Sequence, residues 1–217
     1  LELEDLIPKI YQRTGDNIVE HDMRSESCQN FAKPLDGFSR GFTNILSLDL
    51  FSDSFSFESD HILSNHPLVY ASKDVLVLTE SSWDWWWFWG QDEVMEQTNI
   101  HTFDISVPGT TTYTGSGRID GTILDQFSIS EYEGVLRVAS TVGQWNRWWM
   151  DDPEPMSSSI ITLVRGGDPA TDQPILQEYG RLDGIAETER IWSARFVENR
   201  AYLVTFRNID PLWTIDL

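Results

Sequence analysis

A single cysteine, Cys28, stands among 217 residues. No internal disulfide can form, so cysteine usage says nothing for or against an oxidising compartment. Cys28 reads as a small buried hydrophobe. Basic residues are scarce: 15 Lys plus Arg face 35 Asp plus Glu, a formal net charge of −20. Such a surface repels phosphate backbones, which excludes nucleic acid as a partner, and disfavours anionic membrane surfaces. It would welcome a cationic partner or a divalent cation. No uncharged apolar run approaches the roughly 20 residues that a spanning helix needs, so no membrane insertion is expected.

Catalytic and ligand signatures are missing too. His21, His61, His66 and His101 fall in no zinc-binding spacing. No Gly-rich phosphate loop is present, and the nucleophile-elbow pattern shrinks to a bare GSG at Gly115–Gly117. Acidic residues are so plentiful that no carboxylate pair stands out as an acid/base couple. No amphipathic helix is legible after residue 40. Before it, Leu3 to Gln12 reads as a short helix interrupted by Pro8, and Gly15 to Arg40 as a polar loop that would hide strands of a first blade.

What is present is a repeat. ILSLDL (Ile45–Leu50) returns as IHTFDI (Ile100–Ile105), more weakly as IITLVR (Ile160–Arg165), and as LWTIDL (Leu212–Leu217). GRIDG (Gly117–Gly121) returns as GRLDG (Gly180–Gly184). A third set, VLVLT (Val75–Thr79), VLRVAS (Val135–Ser140) and AYLVTF (Ala201–Phe206), follows turn signals at Lys73-Asp74, Glu133-Gly134 and Asn199-Arg200. Short β-rich segments recurring about every 55 to 65 residues, four per repeat, predict an all-β β-propeller; a β-sandwich is the alternative. The expected chain is a fragment of about three to four blades of four antiparallel strands, forming an open or partial ring. The expected divisions are an irregular segment over 1–42 and blades over 43–64 (partial), 65–121, 122–184 and 185–217 (partial). The start at Leu1 and the stop at Leu217 within a strand pattern read as a fragment or a processed form. Open sheet edges would then invite self-association.

The run GTILDQFSISEYEGVLRVAST (Gly121–Thr141), with LDGIAETERIWSARFVENRAYLVTFRNIDPLWTIDL (Leu182–Leu217), resembles a prokaryotic family of secreted proteins. Its members contain a C-terminal β-propeller distantly related to WD repeats. The resemblance implies the propeller fold and a secreted, periplasmic or cell-surface location. It brings no reaction and no cofactor with it.

Tryptophan is the main anomaly. Of ten, eight lie in two segments: Trp83, Trp85, Trp86, Trp87 and Trp89 in one, Trp145, Trp148 and Trp149 in the other. Both follow the second strand of a blade and precede the third, so they should emerge on one face as neighbours. Consecutive side chains of a strand point to opposite sides, so WDWWWFW cannot bury every ring that way. The rings form either a loop mini-core or an aromatic platform for a sugar, a cation or a protein; membrane-interface anchoring is a third reading, weakened by the acidic surroundings. Asp92, Glu93, Asp151 and Asp152 flank these segments and read as solvated acidic loops, with calcium as the alternative. Glu187, Glu189, Arg190 and Arg195 fall at a blade junction, where ion pairs and hydrogen bonds are expected. The recurrent Asp49, Asp104 and Asp216 suit a turn-bonding role in each repeat.

These observations predict a non-enzymatic extracytoplasmic domain that binds a carbohydrate or a protein through its Trp-rich face, without a cofactor beyond calcium. The alternatives are a glycan-acting hydrolase with acidic catalysts beside the tryptophans, and a purely structural envelope module.

Overall fold

The computed structural model describes residues 9–22, 31–32, 41–64, 67–81, 96–144, 155–167, 173–206 and 212–217. They form sixteen strands: β1 (Lys9–Thr14), β2 (Asn17–Asp22), β3 (Phe31–Ala32), β4 (Phe42–Leu48), β5 (Phe57–Leu63), β6 (Leu68–Ala71), β7 (Val75–Ser81), β8 (Gln97–Asp104), β9 (Thr112–Asp120), β10 (Ile129–Tyr132), β11 (Val135–Val142), β12 (Ser157–Gly167), β13 (Pro174–Ile185), β14 (Ile191–Val197), β15 (Arg200–Thr205) and β16 (Leu212–Asp216). A 3₁₀ turn, Gln126–Ser128, leads into β10 and is capped by the Asp125 carboxylate. No described helix is long and apolar enough to cross a membrane.

The chain is an all-β propeller. β6 to β9 and β10 to β13 are two four-stranded antiparallel meanders. β14 to β16 repeat the first three strands, and β4 with β5 forms an antiparallel pair joined by the short parallel β3. A single parallel bridge, Ile175 to Ser116, links the two meanders into one eight-stranded sheet. Glycine permits that approach: a Cβ on Gly117 would sit 2.8 Å from Leu176 Cβ.

The core lies between successive sheets. Ile62 of β5 meets Leu78 and Phe103. Val77, Ile100 and Ile119 meet Val138, Ile161 and Leu163 of the next meander. Ala139 and Ile160 then meet Ala194 and Leu203. Neighbouring residues thus serve opposite interfaces: Val77 and Leu78 on β7, Val138 and Ala139 on β11, Ile160 and Ile161 on β12. A strand covered on both faces has no wet side. For that reason the middles of β8 and β11 are buried without interruption. Each buried Val or Ile contributes roughly 1.5–3 kcal/mol.

Three expectations are corrected. Lys9 to Gln12 is strand, not helix: Gly15, with φ +61°, turns β1 onto β2 so that Ile10 faces His21 and Gln12 faces Val19. The polar stretch after it is therefore not all loop, since Asn17–Asp22 and Phe31–Ala32 are strands. The third hairpin turn falls one residue earlier than its sequence signal, at Glu198-Asn199, with Glu198 at φ +48°.

Candidate functional site

All eight clustered tryptophans lie outside the described residues, as do the calcium candidates Asp92, Glu93, Asp151 and Asp152. Their anchor points are described. One Trp-bearing segment runs between β7 and β8, the other between β11 and β12. At their roots, the Gln144 backbone N–H donates to Glu96 Oε2 at 3.2 Å. The Gln144 amide donates to Thr122 Oγ1 at 2.8 Å, and the Gly121 N–H donates to the Glu96 carbonyl at 2.6 Å. Thr122 and Thr141 exchange backbone bonds of 2.9 and 3.0 Å beside them. The end of the first segment and the start of the second are therefore tied directly, across two meanders.

Other residues singled out in the sequence make cross-strand and turn contacts. Ser116 hydrogen-bonds His101 and Tyr113, and Ser116 and His101 are buried directly opposite each other on β9 and β8. Burial raises the Tyr113 pKa, against the opposing Ser116 bond. This is a cross-strand lattice, buried at Ser116 and His101 and half-buried at Tyr113. Asp49 accepts from the Phe51 N–H, and Asp104 accepts from both the N–H and the hydroxyl of Ser106. Those bonds hold the Asp104 carboxyl below its ordinary pKa. Asp216 instead accepts from Arg200 Nε at 3.0 Å. No group of three or more potential metal ligands occurs among the described residues.

A second site was not foreseen. A cleft of about 550 Å³ opens between the first strands of three consecutive repeats, β6, β10 and β14. Tyr70, Ser130 and Arg195 line it. They occupy one structural position: Tyr70 pairs with Val77, Ser130 with Arg137 and Arg195 with Tyr202, in each case the third residue of the following strand. The exposed Arg195 guanidinium lies 3.9 Å from the centre of the Phe127 ring, and its Nη1 donates to the Ala194 carbonyl at 2.6 Å. Its described contacts are thus a ring and a carbonyl: of the ion pairs and hydrogen bonds expected at this junction, Arg195 makes a hydrogen bond. Arg190 similarly lies 4.2 Å over Trp192.

Behind the wall sits Arg137, 4% exposed. It donates from Nη2 to Ser130 Oγ at 2.8 Å and from Nη1 to the Glu198 carbonyl. Its guanidinium lies 5.0 Å from the Tyr132 ring centre and 5.2 Å from that of Phe196. Its Nε meets no acceptor among the described residues. Burial lowers its pKa, with Tyr70, Glu131 and Tyr132 opposing.

Comparison with known proteins agrees with this architecture. The family model described as a beta propeller domain matches residues 1–217. An uncharacterised protein of the archaeon Methanocaldococcus jannaschii is 36% identical over 102 residues, 47% of this chain and 14% of that protein. Another, from Archaeoglobus fulgidus, is 30% identical over 123 residues, 57% of this chain and 16% of its own length. The chain thus matches about a seventh of the length of these relatives. No solved structure matches.

Proposed function

Because the chain belongs to the β-propeller domain family, whose architecture serves as a binding scaffold, we propose that it is a non-enzymatic extracytoplasmic scaffold that recognises a carbohydrate or a protein through its two Trp-bearing segments. Fold alone does not assign that role. The observation that carries it is the Gln144–Glu96 bond, which roots both segments at one place. Trp supplies large, rigid contact area, and sugar rings and cations both favour indole faces. The extracytoplasmic location rests on the sequence resemblance to secreted, WD-like propeller proteins. The reading extends to self-association. β16 is an edge strand among the described residues, and its Leu212 is exposed, a surface suited to pairing with a second copy.

Intrinsic tryptophan fluorescence tests the binding face. With a glycan panel, and with calcium, wild type is expected to give a saturable spectral shift that the double variant Trp86→Ala, Trp148→Ala loses. If no additive shifts the spectrum and the variant merely melts earlier, the tryptophans are a loop core and the proposal fails.

A further inference from the structure

We propose that the cleft between β6, β10 and β14 binds a small organic carboxylate with an apolar body. The argument begins with the hydrogens left over. A hydroxyl offers one donor hydrogen and two acceptor lone pairs. Tyr70 Oη accepts from the Glu131 N–H at 3.1 Å, and Ser130 Oγ accepts from Arg137 at 2.8 Å. Each hydroxyl has its acceptor side engaged, and neither hydrogen meets an acceptor among the described residues. Arg195 commits Nη1 to the Ala194 carbonyl and keeps its other donors. Three equivalent positions of three repeats therefore present surplus donors to one cleft.

Charge selects the same ligand. The chain carries 35 Asp plus Glu, yet among the described residues the cleft is lined by Arg195 without a carboxylate. The two acids adjoining the lining in sequence are both engaged elsewhere: Asp125 Oδ1 accepts from the Phe127 and Ser128 N–H groups at 2.9 and 3.1 Å, and Glu131 Oε1 accepts from the Gly134 N–H at 2.8 Å. Buried Arg137 adds a second cation behind Ser130. A group that only accepts and carries negative charge satisfies this donor set, and a guanidinium fork matches a carboxylate's two oxygens. The rest of the described lining is mostly apolar: Val69, Ala71, Ile129 and Phe196, with Phe127 under the Arg195 guanidinium and Gln126 as one further polar group. A volume of this size, mostly apolar with a few convergent polar groups, fits a small molecule. None of the residues that root the Trp-bearing segments, Glu96, Thr122 and Gln144, lines the cleft, so its binding is tested independently of theirs.

The test is a ¹⁹F NMR titration with 4-(trifluoromethyl)phenylacetate and, as the neutral isostere, its primary amide. Wild type is expected to give a saturable shift with the carboxylate, weakened roughly tenfold or more for the amide and for Arg195→Gln, since a charge-assisted bond is lost in both. Ser130→Ala should weaken binding several-fold. Arg195 is exposed, so its variant should keep the wild-type melting curve; Arg195→Lys, which retains charge without the fork, should bind between the two. The proposal is overturned if wild type gives no saturable shift, if acid and amide titrate alike, or if Arg195→Gln binds as wild type does.

Discussion

On β5 the Asp60 carboxyl and the His61 ring occupy opposite faces of one strand, and both are buried. Asp60 accepts from the Thr111 hydroxyl, while His61 Nδ1 and Asn44 Oδ1 lie 2.6 Å apart. Burial raises the Asp60 pKa above its ordinary 3.8, against the Thr111 bond and with Glu58 adding to the rise. Burial lowers the His61 pKa below 6.5, with Asp60 opposing. Above 3.8 and up to the raised value, the folded state holds a proton on Asp60 that the unfolded chain has lost. Its contribution is therefore present at low pH and disappears as pH rises through the folded pKa. His61 acts in the reverse sense, losing stability as pH falls through 6.5 toward its folded value. Asp60→Asn keeps an acceptor for Thr111 and removes the ionisation. The melting temperature of the variant minus that of wild type should rise as pH increases above 3.8 and level off once pH passes the raised folded value. A difference independent of pH would mean that burial of the charge is not what sets this carboxyl.

At the scale of the strand, the two GRxDG copies show what a repeated motif is for. Gly121 and Gly184 both close their copies with positive φ, +85° and +72°. The left-handed residue follows the end of β9 at Gly121 and sits in the register shift just before the last residue of β13 at Gly184, and glycine adopts it without penalty. The copies also clasp each other: Arg181 of the second donates to Asp120 of the first at 3.1 Å, alongside Glu178 at 2.7 Å. Their surroundings differ. A Cβ on Gly121 would meet the Thr141 carbonyl oxygen at 2.7 Å, whereas one on Gly184 meets nothing within 4 Å. Gly184→Ala should cost about 1 kcal/mol from backbone strain, and Gly121→Ala clearly more, because the clash lies in the strand-end bonding beneath the Trp-bearing segments. Chemical denaturation of both variants checks the order; equal losses would remove the packing role of Gly121. Such copies were legible because the structure needs the same residue type each time. β7, β11 and β12 were legible for a related reason, since burial on both faces writes continuous apolar runs. The β1–β2 hairpin was obscured by a helix-like spacing of apolar residues before it, although Gly15-Asp16 carried the turn signal. The cleft was hidden more deeply. Tyr70, Ser130 and Arg195 share a position but no chemistry, so only strand register shows them to be equivalent.

Across the whole molecule, the described sheets differ in how they are covered. Those in the middle pack on both sides, while the end sheets display apolar side chains: Phe42, Leu46 and Leu48 on β4, Trp192, Val204 and Leu212 on β14 to β16. An edge strand with exposed apolar residues templates pairing, and a second copy of this chain offers the same β16. Charge works against that union. Each copy carries −20, so two approaching copies repel over distances that salt screens. Apolar contact and strand pairing are far less sensitive to salt. The proposed association should therefore strengthen as ionic strength rises from about 0.02 M, where the Debye length exceeds 20 Å, to about 0.5 M, where it is a few ångströms. Sedimentation velocity across that range should show the dimer fraction growing with salt. Leu212→Lys places a cation on the edge, where it also meets an acidic partner surface. If charge alone governed association, the variant would pair better than wild type at low salt. If the edge strand is the contact, it should pair worse at high salt, where screening leaves only the lost apolar surface. Wild type sedimenting as a monomer at every concentration and ionic strength would remove self-association from the proposal and leave the two proposed binding sites to their own tests.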